Sequence, residues 1–179
     1  MKNKEKLIIY IWLCSLALIL FIGIVLCLQR PPAEIIAAQQ NVITLSSKIR
    51  AHYRNRPDYW GLSGNEVIKK KLVSFKISNN QLYNKLDKPI IIGGDINGTQ
   101  VMPGSHSYKI VYYDLNKKEC EELASFRWQE EDKLGLLSMT IQNSEGTYEF
   151  SWGEKGLPLS KGKSKQYCKE TNKIMWSFE

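Results

Sequence analysis

The chain has 179 residues and a formal charge of +7, with 43% hydrophobic and 24% charged residues. That length suits one domain with a short appendage, and the apolar share excludes a disordered chain. Lys and Arg are spread along the sequence without a dense patch, so the charge is read as solvation, with no nucleic-acid partner expected.

Residues 7–28, LIIYIWLCSLALILFIGIVLCL, contain no charge and no proline. As a helix this run is about 33 Å long, enough to cross a hydrocarbon core of about 30 Å. A secretory signal peptide has a shorter apolar stretch and small residues at a cleavage site, whereas this run ends in Cys27-Leu28-Gln29-Arg30-Pro31-Pro32. It reads as a retained transmembrane helix. Lys2, Lys4 and Lys6 precede it against a single Glu5, which holds the N-terminus in the cytoplasm. The expected division is a cytoplasmic tip at 1–6, a membrane helix at 7–29 and a periplasmic or extracellular domain at 30–179. The protein is then single-pass in a bacterial inner membrane.

Pro31 and Pro32 are expected to kink or break the helix. Beyond them Ile35, Ala38, Val42, Leu45, Ile49 and Tyr53 (or His52) recur at steps of three and four. They form the apolar face of a helix over 33–54, with Glu34, Gln40, Thr44, Ser47, Lys48 and Arg50 opposite. Such a face needs a sheet or a second helix against it.

Residues 54–63, with Pro57 and Gly61, read as a loop whose Tyr59 and Trp60 fold back onto the core. Ser63 and Glu66 have capping-box spacing for a helix over 64–73, with Lys69, Lys70 and Lys71 facing solvent. Residues 89–92 and 99–102 flank Gly93-Gly94-Asp95-Ile96-Asn97-Gly98, a hairpin or irregular turn. That loop lacks a GxxxxGK[ST] pattern and opens no helix, so a phosphate cradle is not assigned. Asn97-Gly98-Thr99 is a formal glycosylation sequon.

Residues 107–113 alternate as a strand, and Asn116 with Glu119 caps a helix over 117–125 that turns Cys120 and Leu123 or Ala124 inward. Strands over 136–142 and 147–152 surround the turn at 143–146. Residues 153–165 read as an exposed loop, and 173–178 as a last strand with Ile174, Trp176 and Phe178 on one face.

Cys14 and Cys27 lie about 20 Å apart within the apolar helix and act as small apolar residues. Cys120 and Cys168 belong to the exported domain, where an oxidising compartment joins them. A metal would compete for this pair, but no CxxC is present and no His is near either residue. No catalytic or cofactor-binding residues are assigned: His52 and His106 have no second ligand spaced to them, and GxSxG and HExxH are missing.

An apolar helix passing a proline kink into an amphipathic helix, antiparallel strands and a C-terminal cystine together resemble the type IV pilins, and within them the type IVb pilins. Local likenesses are Gln40-Asn41 before 45–53 and Gly61-Leu62, Leu115-x4-Cys120-x2-Leu123, and Cys168-x3-Asn172-x-Ile174-x-Trp176-x-Phe178. The resemblance implies an α+β pilin-like fold, with the amphipathic helix packed on an antiparallel sheet. Its implied partners are the membrane, other pilin subunits and an assembly platform, and it implies no enzyme activity or cofactor. Family members are cut after a Gly before the apolar helix and carry Glu as the fifth mature residue. Here Lys6 precedes Leu7, the fifth residue from Leu7 is Ile11, and Gly23 lies too deep to serve. The expectation is therefore a minor or atypical subunit, and the alternative is a membrane-anchored binding or regulatory module that does not polymerise.

Overall fold

The computed structural model describes residues 12, 15–21, 31–128, 135–153 and 156–179. The chain divides into two units, Met1–Pro32 and Ala33–Glu179. In the first, residues 12 and 15–21 are helical, and the Ser15 hydroxyl donates to the carbonyl of Trp12 at 2.9 Å. Among the described residues no helix is long and apolar enough to cross a membrane. Most of the expected span at 7–28, and the residues just before Pro31 and Pro32 on which a kink depends, lie outside the described residues.

The second unit opens with α1, Ala33–Tyr53, which begins directly after Pro31 and Pro32, where a missing N–H costs a helix nothing. Next comes α2, Gly64–Lys69, shorter than its expected reach to 73. Ser63 accepts from the Glu66 amide at 3.3 Å, but the Glu66 carboxylate faces Lys70 at 3.9 Å. Four strands follow: β1 Lys76–Ser78, β2 Gln81–Tyr83, β3 Pro89–Gly93 and β4 Tyr108–Leu115. Helix α3, Lys117–Ala124, carries the full capping box of Asn116 and Glu119, and Cys120, Leu123 and Ala124 all point inward. The chain ends with β5 Leu136–Asn143, β6 Gly146–Ser151, α4 Lys161–Tyr167 and β7 Asn172–Phe178.

All seven strands form one antiparallel sheet in the order β1-β2-β3-β4-β7-β5-β6. The last strand therefore sits in the middle. It alternates buried and half-buried residues throughout, with Asn172, Ile174, Trp176 and Phe178 on the core face. Its neighbour β4 gains one residue between Tyr112 and Leu115, a bulge that includes Asp114 at φ 53°. The extra residue returns Leu115 to the face of Tyr112 and keeps both in the core.

Two local expectations need correction, at Trp60 and at 161–165, and two further stretches are settled by the structure. Trp60 is 60% exposed, because Tyr59 takes the inward position and its neighbour points the other way. Residues 99–102 are not a strand; the Val101 backbone bonds to Gly61 and Leu62 instead. The turn they were to close is irregular and is built on Asp95, whose carboxylate accepts from the Asn97 and Thr99 amides and the Thr99 hydroxyl. Residues 161–167 are the helix α4 rather than a loop, capped by Ser160. The hairpin of β1 and β2 was not expected, although Asn79 and Asn80, at φ 48° and 60°, are the residues a two-residue reversal favours.

Candidate functional site

The seam between α1 and the sheet is built from both sides. Ile35, Ala38, Val42, Leu45, Ile49 and Tyr53 are all buried there, and Glu34, Gln40, Ser47 and Lys48 are exposed. Ile43 and two polar residues that sequence reasoning placed on neither face, Gln39 and Ser46, are also buried. Each of the polar two is satisfied: the Gln39 amide donates to the Glu122 carbonyl at 3.1 Å, and the Ser46 hydroxyl shares a hydrogen bond with the Tyr108 phenol at 3.0 Å.

The polar rungs of the seam come from β4. Tyr108 and Tyr112 stand four residues apart, so both face the helix. The Tyr112 hydroxyl donates to the carbonyl of Ala38 at 3.0 Å, and the Tyr108 hydroxyl lies 3.3 Å from the carbonyl of Ser46. Four strand residues span about 13 Å and eight helix residues about 12 Å, so the two spacings match. The lower-numbered tyrosine meets the higher-numbered helix residue, so α1 and β4 run antiparallel. Small side chains at Ala38 and Ser46 leave room for the phenol rings. The signal in the sequence was this pairing of small helix residues with tyrosines at matched intervals, and it could have been found.

Each tyrosine also starts an aromatic chain. Tyr108 packs on Tyr59 and Phe178, at centroid distances of 4.7 and 5.5 Å. Tyr112 meets Trp176 at 5.1 Å, and Trp176 meets Trp128 at 5.4 Å. Such pairs contribute about 0.5–1.5 kcal/mol each beyond area burial. Burial pushes both phenols well above their ordinary acidity constant of 10.0, partly offset at Tyr108 by the Ser46 hydrogen bond.

At one end of the sheet Cys120 of α3 is bonded to Cys168, the residue that ends α4, with their Cα atoms 5.8 Å apart. Asn172 fixes the turn from that cystine into β7. Its side chain accepts from the Lys169 amide at 2.8 Å and donates to the carbonyls of Lys169 and Leu115 at 2.6 and 3.1 Å. Among the described residues no group of three or more His, Cys, Asp or Glu could hold a metal ion.

No family profile matches this sequence, and no curated protein matches it. Two solved structures share its architecture across most of both chains. The type IVb pilin of Salmonella typhi superposes with a TM-score of 0.52 at 14% identity, covering 78% of this chain and 95% of its own. TcpA, a type IV pilin from the El Tor biotype of Vibrio cholerae, gives 0.54 at 10% identity, covering 82% and 99%. The fold is that of the type IV pilins. At these identities the likeness is one of backbone, and pilin-like side-chain roles rest on this chain's own geometry.

Two outcomes test the seam and the clasp. Because the folded state keeps Tyr108 and Tyr112 protonated above pH 10.0 while the unfolded chain releases those protons, stability falls as pH rises past that value. Tyr112→Phe reduces the loss of stability between pH 9 and pH 11 by about 1.4 kcal/mol in total, read from denaturant unfolding at the two pH values. Replacing Cys120 and Cys168 together by Ser destabilises the domain by about 4 kcal/mol, measured by urea unfolding.

Proposed function

We propose that this chain is a structural subunit of an envelope filament or secretion machine, of the minor or atypical pilin class, held in the inner membrane by residues 7–28. The observation that carries the reading is a pilin fold whose seam helix α1 follows directly on a long apolar run. In such a subunit the apolar run serves the membrane before assembly and the filament interior after it, while α1 supports the head. A minor or atypical role is supported by Lys6 standing before Leu7 and by Ile11 where the family carries Glu. The partners are other pilin subunits and the assembly platform. The role proposed is structural rather than catalytic, supported by the hydrogen bonds of Ser46, Tyr108, Tyr112 and Asn172, which hold α1 and β7 in place.

Fractionation tests this directly. Sheared surface material is expected to contain the chain, together with other pilin subunits to which it cross-links. Recovery in the inner membrane alone, with an N-terminal mass showing no processing, would point instead to a membrane-anchored module that does not polymerise.

A further inference from the structure

Past the last turn of α1 lies an open cleft of about 490 Å3, within the size range of small-molecule sites. Arg50, Arg54 and Arg56 line it from α1 and the loop that follows, and Tyr59 and His106 line it from the facing loops. A helix C-terminus attracts cations, which accounts for Arg50 in the final turn. It does not account for Arg54 and Arg56, which lie beyond the helix. Arg50 is engaged with the Tyr59 hydroxyl. The Arg56 guanidinium sits 4.8 Å from the centroid of the Tyr53 ring, a contact that restrains it without using its N–H donors.

The carboxylate in this wall is Asp58, and its oxygens are directed at the backbone. One accepts from the Trp60 amide at 3.1 Å and the other from the Gly104 amide at 2.6 Å. The Gly104 bond first, then the Trp60 bond, holds its acidity constant below the usual 3.8, so Asp58 stays ionised while tying residues 58–60 to 104. Among the described residues no carboxylate forms an ion pair with Arg54 or Arg56. With Arg54 and Arg56 set against Asp58, the cleft keeps a net positive charge at the end of the seam that Tyr53 closes.

We propose that this cleft binds the phosphate group of an anionic ligand. A planar carboxylate is served by one guanidinium fork in one plane, whereas a tetrahedral anion accepts from several directions and suits the two guanidinium groups of Arg54 and Arg56 beside one hollow. The phosphate can come from a soluble oligophosphate or from a lipid headgroup, and the recognition chemistry is the same. This inference does not depend on whether the chain polymerises.

The test uses the full chain in maltoside micelles, which contain no phosphate, followed by amide NMR. One arm adds pyrophosphate and the other adds the short-chain lipid dihexanoyl phosphatidylglycerol. In at least one arm, saturable shifts are expected at 50–59 and at His106, with a Kd of about 1 mM or lower. The arm that saturates at lower concentration identifies the source. Arg54→Ala combined with Arg56→Ala should weaken binding at least tenfold while the remaining spectrum shows the fold intact. Arg56→Lys, which keeps the charge and loses the fork, should fall between the two. No saturation in either arm, shifts centred on the lysines of α4, or a double variant that binds as the parent does would overturn the assignment.

Discussion

Two phenols of one strand hold the long helix to the sheet, and the rest of the domain is arranged so that they can. Tyr108 and Tyr112 reach carbonyls eight residues apart on α1, where a full helical backbone would otherwise face an apolar strand. The match of about 13 Å on the strand to about 12 Å on the helix fixes the axial position of one element on the other. Apolar packing alone does not do this, since Ile, Val and Leu tolerate a small axial slide that polar rungs forbid. The net gain from each hydrogen bond is only about 1 kcal/mol, but leaving a buried phenol unpaired costs about 1–3 kcal/mol. The rungs therefore select one alignment more than they add stability.

The same strand sets the centre of the sheet. Its partner β7 is the last element made, yet it lies between β4 and β5 and supplies Trp176 and Phe178 to both aromatic chains. The core cannot close until the C-terminal segment is in place, and long-range pairing of this kind carries a large entropic cost before its contacts form. The Cys120–Cys168 bond and the Asn172 turn reduce that cost by bringing the start of β7 to the end of β4. Helix, strand pair and cystine are thus tied to one another within Ala33–Glu179.

Much of this was legible in the sequence. The step of three and four from Ile35 to Tyr53 marked the helix and its buried face, alternation marked β4 and the single core face of β7, and the turn at 143–146 marked β5 and β6 on either side of it. Asn116 with Glu119 marked a helix start, since the cap uses its own neighbours only. What escaped depended on distant partners or on weak local pattern. Ser46 and Gln39 look like surface residues until Tyr108 and the Glu122 carbonyl are placed beside them. Trp60 looks like a core residue until the 58–62 loop turns it outward. Helix α4 buries only Ser164 and contains a glycine, so it has no apolar periodicity to read. The arginine cleft joins α1 to loops some fifty residues later, and spacing along the chain does not bring them together.

Native-state hydrogen exchange, resolved by residue, tests most directly whether α1 and the central strands are one cooperative unit. If they are, the amides of α1 between Ala38 and Ile49 exchange only through the same global opening as those of β4 and β7, with matching free energies and matching denaturant dependence. Exchange of α1 through a lower-energy opening that leaves β4 and β7 protected would contradict it, showing that the helix lies on the sheet without being locked to it.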